Sequence, residues 1–234
     1  MIEVRHLGES GLLVRIGERS IAVDPPRPSG LPQALTWSEA ERLAGSRGSE
    51  PLAAPPELLR FLGRDGVALL DGVQVEHGGF SLLPSAFPPI PYAVPAEAVR
   101  KTLSALRRPR LAWQRLSHAR QRPVGPPLVL ELRAEGRRVL LLQQALHRFT
   151  PEPVLARLVQ RHGGADLLIA GTDYEDERAT GRLMFRFSAR RCVVADLVGP
   201  VRRRLGLPVR ALELTLGVAP PGTGTLREGE VVGG

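Results

Sequence analysis

Glycine and proline recur so often along this chain that no apolar stretch runs far before a turn residue interrupts it. Twenty-five glycines and twenty-two prolines fall among 234 residues. No apolar stretch reaches the roughly 18 residues that a membrane-spanning helix needs. Short apolar runs between turn residues favour strands over long helices. With 43% apolar residues the chain is still rich enough to bury a sizeable core. One cysteine, Cys192, excludes an intrachain disulfide framework and any cysteine-rich zinc module. The opening residues Met1–Ser10 carry no basic-then-apolar leader pattern, so the expected location is cytoplasmic.

Three strands are expected first, over Ile2–His6, Leu12–Ile16 and Ser20–Val23, with Gly8, Gly11 and Gly17 at the turns. Asp24 closes the third, and Pro25–Pro26 stop further pairing. Ser38 and Glu41 have capping-box spacing for a short helix after Thr36. A strand over Pro51–Ala53 and a helix over Glu57–Leu62, opened by prolines and closed by Gly63, follow. Val67–Leu70, Val73–Glu76 and Phe80–Pro84 read as an edge meander. Pro95–Arg122 has helical spacing on either side of Pro109, which predicts two helices. Leu128–Leu132 and Arg138–Leu142 predict a hairpin around Glu135–Gly136. Thr150–Pro151 should cap a helix ending at Gly163. Buried strands are expected at Ala165–Ala170 and Cys192–Ala195, with an acidic loop at Asp173–Glu177 and a helix near Arg178–Phe187 between them. Arg210–Val218 reads as a last strand and the final dozen residues as a loose end.

The opening LGESGLLVRIGERSIAVDP resembles the first strands of metallo-β-lactamase-fold proteins, in the branch related to ascorbate-6-phosphate lactonase. That resemblance implies an α/β fold, a four-layered αββα sandwich over residues 1–234. The basic helical segment at 95–122 would lie between two half-folds. Members of this family bind one or two metals, usually zinc, in a Thr-His-x-His-x-Asp-His loop after the Asp-Pro strand, and the metal supplies hydroxide near neutral pH. The matching stretch here is Thr36-Trp37-Ser38-Glu39-Ala40-Glu41-Arg42. Trp37 and Glu39 replace the first two histidines, Glu41 the aspartate and Arg42 the last histidine. Trp37 has no lone pair for a metal, and Arg42 is a permanent cation. Gln143–Gln144 stand where Gly-Asp is expected, so Gln144 takes the bridging position. Ser85 or Ala86 takes the mid-sheet histidine slot, and Asp196–Leu197 the last one. Zinc is therefore not expected, nor any other cofactor.

The five histidines, His6, His77, His118, His147 and His162, show no paired metal-binding spacing. His77 reads as a turn residue and His162 as a helix-end cation. His147 lies at the rim of the implied cleft. The weak catalytic candidates are His147, Glu39 and Glu41. The implied cleft would be lined by Asp24, Trp37, Arg42, Gln144 and Asp173. Its carboxylates could alternatively hold an oxygen-preferring cation for hydrolysis of a lactone or phosphodiester. Cys192 lies in an apolar strand and reads as a small core residue.

The formal charge of +8 is local. Pro95–Arg122 holds eight basic residues, among them Arg100, Lys101, Arg107, Arg108, Arg110 and Arg115, against the single acid Glu97. The rest of the chain is nearly neutral. Such a segment suits nucleic acid or anionic lipid, or is a solvated face. Three readings stand: a binding or scaffold protein that has lost its metals and takes a small molecule or protein, an atypical metal-dependent hydrolase, and an anion binder acting through 95–122.

Overall fold

The computed structural model describes residues 1–8, 11–36, 48–88, 126–143, 145–147, 149–171, 177–197 and 212–233. The strands in chain order are β1 (Ile2–Gly8), β2 (Gly11–Ile16), β3 (Arg19–Val23), β4 (Gln33–Ala34), β5 (Leu52–Ala54), β6 (Val67–Ala68), β7 (Val75–His77), β8 (Phe80–Ala86), β9 (Leu128–Ala134), β10 (Arg137–Gln143), β11 (Leu167–Gly171), β12 (Arg191–Ala195), β13 (Gly224–Leu226) and β14 (Val231–Gly233). The helices are α1 (Pro56–Leu62), α2 (Glu152–His162), α3 (Glu177–Met184) and α4 (Leu212–Leu216), with a 3₁₀ turn at Phe185–Phe187.

The strands form two seven-stranded sheets, ordered β14-β1-β2-β3-β4-β5-β6 and β13-β12-β11-β10-β9-β8-β7. Each sheet has an antiparallel part that changes to a parallel one at a single strand. In the first sheet β1, β2 and β3 are antiparallel, while β3 through β6 run parallel. In the second, β7 through β10 are antiparallel and β10 through β13 run parallel. β3 and β10 are thus equivalent pivots.

Side-chain alternation explains the layering. Leu128, Leu130 and Leu132 of β9 join Val4, Val14, Ile16 and Ile21 of the first sheet in one fully buried core. The outward residues Val129, Leu140, Leu142 and Leu168 pack on Leu155 and Leu158 of α2, Met184 of α3 and Leu212 of α4. Leu35, Leu52 and Ala54 pack under Leu58 and Leu59 of α1. This helix–sheet–sheet–helix order is the expected αββα sandwich. Sheets covered on both faces read as continuous apolar runs, as at Leu140–Leu142 and Leu167–Ala170.

The hairpin between β9 and β10 turns on Glu135 and Gly136, both at positive φ (49° and 71°), the geometry of a two-residue primed turn. α1 opens on prolines and ends at Gly63, whose left-handed backbone (φ 60°) lets its amide reach the Arg60 carbonyl. Other expectations are corrected. The three apolar runs after Gly63 are not one meander: β6 is the edge of the first sheet, parallel to β5, and only β7 and β8 pair as a hairpin in the second. The chain changes sheets between β6 and β7, whereas 95–122 falls in the connection between the paired neighbours β8 and β9. Arg210–Val218 does not supply a strand, because Leu212–Leu216 is helical and buries Leu212 and Thr215. The tail is not loose, since β13 extends the second sheet and β14 pairs with β1. Thr150 does not cap α2: its hydroxyl donates to the Ala145 carbonyl and accepts from the His147 amide. The two predicted helices of 95–122 and the short helix after Thr36 lie outside the described residues. Among the described residues no helix is long and apolar enough to cross a membrane.

One carboxylate is fully buried beneath α2. Glu131 accepts from Arg133 Nε (2.6 Å), Arg138 Nε (2.8 Å) and His162 Nδ1 (2.8 Å). Burial alone would push its carboxyl up, but the hydrogen bonds from His162, Arg138 and Arg133 outweigh that and hold it at about 2. Its ordinary value is 4.5, so the folded state binds this proton less tightly than the unfolded chain. The resulting stability is in place above pH 4.5 and is lost as pH falls towards about 2. Acid titration followed by circular dichroism should therefore show a shallower loss of stability below pH 4.5 in Glu131→Gln than in wild type. The variant should also be less stable at neutral pH, because Arg138 and Arg133 lose the buried carboxylate they hold. Separately, Leu130→Ala, in the fully buried core between the sheets, should cost about 2–5 kcal/mol in urea denaturation.

Candidate functional site

In layered α/β folds ligands collect at the carboxyl ends of strands, where the sheet order changes direction. Both pivots, β3 and β10, end at one edge of this sandwich, and their next residues meet there. Asp24 follows β3 and is 1% exposed, and Gln143 closes β10 at 3%. Asp24 Oδ1 accepts the Thr36 amide at 2.8 Å, and Oδ2 accepts the Thr36 hydroxyl. Gln143 Nε2 donates to the same Oδ2 at 3.1 Å. The carboxylate fixes the amide orientation, since the reverse flip would set oxygen against oxygen. Gln143 Oε1 is left buried without a partner.

Asp24 and Gln143 both adopt left-handed backbone, with φ of 46° and 49°. Aspartate tolerates this region better than glutamine. Each such residue costs on the order of 1–3 kcal/mol unless its surroundings hold it, and here the mutual hydrogen bond does so. Thr36 also accepts the Leu128 amide at 2.9 Å, joining the first sheet to the start of β9. His6 makes a second tie between the sheets. Its Nδ1 accepts from the Gly8 amide at 3.0 Å, so Nε2 carries the proton and donates to the Asp196 carbonyl at 3.2 Å.

The remaining predicted residues divide clearly. His147 is buried, and its Nδ1 accepts from the Phe149 amide at 3.2 Å. Trp37, Glu39, Glu41, Arg42, Gln144 and Asp173 lie outside the described residues, as do Arg100, Lys101, Arg107, Arg108, Arg110 and Arg115. Of the glutamine pair it is Gln143 that reaches Asp24. Ser85 faces α2 rather than this edge, while Ala86 packs against the inter-sheet core. His77 closes β7 instead of sitting in the turn, buried with Nε2 3.0 Å from the Gln33 carbonyl, and burial pushes its imidazole down. His162 ends α2, as expected, and is fully buried. Burial pushes the Cys192 thiol up to about 11, which makes it an inert core residue at neutral pH. The Gln143–Asp24 contact was hidden from sequence reasoning because 119 residues separate the two.

Solved structures share this architecture. The chain covers 100% of itself and 99% of the metallo-beta-lactamase fold protein YhfI from Bacillus subtilis, at 13% identity and a TM-score of 0.60. It is similar to Igni18, a metallo hydrolase from the archaeon Ignicoccus hospitalis, at 12% identity over 99% and 97% of the two chains, TM-score 0.60. It is also similar to the Zn(2+)-bound PqqB of Methylobacterium extorquens, at 14% identity over 100% of both chains, TM-score 0.56. The chain has the metallo-β-lactamase fold. No protein-family model and no curated protein sequence matches it.

At this edge the described polar side chains bond to one another or to the backbone. Both oxygens of Asp24 already accept hydrogen bonds from Thr36 or Gln143, and both nitrogens of His6 are committed to backbone groups. Gln143 turns its N–H donor, not its oxygen, toward the carboxylate. Among the described residues no three His, Cys, Asp or Glu side chains gather closely enough to hold a metal ion.

Thr36→Val keeps the shape of the side chain but removes its hydroxyl from buried Asp24. The variant should lose about 1–3 kcal/mol of stability, read from urea unfolding at neutral pH.

Proposed function

We propose that this chain is a metallo-β-lactamase-fold protein that binds at its strand-end cleft without metal-dependent hydrolysis, a pseudoenzyme whose ligand is a small molecule or a protein. One observation carries the reading: the Asp24 carboxylate is satisfied within the protein by Thr36 and Gln143. The substitutions in sequence support it. Trp37 and Arg42 stand at histidine slots of the implied metal loop, and neither side chain donates a lone pair to a metal. A carboxylate bonded to neutral donors retains the family's architecture while lacking the donor set that would activate water.

A second reading concerns the basic segment and is favoured by its charge alone. Eight basic residues against Glu97 within 95–122 suit an anionic partner, either nucleic acid or anionic lipid. Both readings fit one protein, with the cleft and the basic segment serving separate partners.

The hydrolase alternative makes the opposite prediction for activity. Purified protein assayed on lactones and phosphodiesters with added Mg²⁺, Mn²⁺ or Zn²⁺ should turn over no faster than a Glu39→Ala/Glu41→Ala variant. Metal-stimulated turnover that the double substitution abolishes would replace the binding reading with a carboxylate-based hydrolase.

A further inference from the structure

On the outer face of the second sheet, three side chains line up beneath α2. Ser85 of β8 and Glu131 of β9 are both fully buried, on paired strands with Ser85 opposite Val129 and Leu83 opposite Glu131. His162, the last residue of α2, is fully buried between them. Its Nε2 is 2.8 Å from Ser85 Oγ, and its Nδ1 is 2.8 Å from Glu131 Oε2.

The proton order follows from the neighbours. Glu131 only accepts, and Arg138 grips both of its oxygens, Nε at 2.8 Å and Nη2 at 3.2 Å. The proton on Nδ1 therefore points to Glu131. With the single imidazole proton on Nδ1, Nε2 can only accept, so the Ser85 hydroxyl, whose oxygen takes a hydrogen bond from Arg161 Nη1 at 2.7 Å, donates to it. A hydroxyl donating to a neutral imidazole, itself oriented by a fixed carboxylate, is the arrangement an activated serine requires.

We propose that Ser85 is a covert nucleophile, with His162 as its base and Glu131 as the positioning residue, closed over by Arg161 and Asp71. Arg161 reaches Asp71 at 2.8 Å, with side chains 29% and 41% exposed, and an exposed ion pair of this kind holds weakly. Arg157 stands beside it, 3.8 Å from Asp71. With two guanidiniums against one carboxylate, the side chains covering Ser85 favour an ester bearing an anionic group. In the reaction Ser85 Oγ bonds to the ester carbonyl carbon while its proton passes to His162 Nε2. The ester C–O bond breaks, and the leaving alkoxide takes that proton. Water then attacks the acyl-serine by the same route, releasing the acid and restoring the hydroxyl. None of these residues belongs to the Asp24 edge, so the proposal stands apart from the reading of the cleft.

An uncharged fluorophosphonate probe tests it. Phosphonylation forms the Ser85 Oγ–P bond, breaks P–F and releases fluoride, and peptide mass spectrometry locates the adduct. Removing the cover with Arg161→Ala should raise the labelling rate at least tenfold over wild type, and Asp71→Asn, which frees Arg161, should raise it less. Ser85→Ala in the Arg161→Ala background should abolish labelling. Glu131→Gln in that background should slow labelling and shift the acidic limb of its pH profile, which a purely structural carboxylate would not do. Circular dichroism confirms which variants are folded. The proposal is overturned if neither folded Arg161→Ala nor folded Asp71→Asn gains a Ser85 adduct, or if labelling persists without the serine.

Discussion

A single carboxylate, that of Asp24, ties the two sheets together where their strands end. It takes the amide and hydroxyl of Thr36 from its own sheet and the side-chain amide of Gln143 from the other. Thr36 in turn accepts the Leu128 amide, and His6 reaches the Asp196 carbonyl. Buried polar groups are costly unless paired, so these bonds fix how the sheets meet at this edge. The inter-sheet core of Leu128, Leu130, Val14 and Ile21 supplies the attraction between layers. It is non-directional; the polar ties give it direction.

The two sheets repeat one plan. Each begins antiparallel, changes to parallel at one strand, and ends that pivot on a non-glycine residue in left-handed backbone. Asp24 and Gln143 therefore occupy matching positions, and their hydrogen bond joins one half of the plan to the other. Both lie at the strand-end edge. Here its described side chains are occupied with one another.

Much of the fold was legible because short apolar runs between turn residues are a strong strand signal. β1, β2, β3, β9, β10, β11 and β12 follow from it, and so does the Glu135–Gly136 hairpin. The failures also have physical causes. Leu212–Leu216 is too short for its periodicity to separate helix from strand. β13 and β14 are three residues each among glycines, and only pairing with β12 and β1 orders them. The edge itself was half legible. Asp24 stood out at the end of a strand before two prolines, but its bond to Gln143 did not, because the two residues are 119 positions apart in sequence. The Ser85–His162–Glu131 line could not be read at all. Its members share no motif, and only the pairing of β8 with β9 under α2 brings them together.

Under the proposed function the strand-end edge holds no metal. Elemental analysis by inductively coupled plasma mass spectrometry on the full chain, purified without chelators and dialysed against Zn²⁺, Mn²⁺ and Fe²⁺ in turn, tests it most directly. The account predicts far less than one equivalent of any of these metals per chain. A near-stoichiometric content that falls in Asp24→Ala would contradict it.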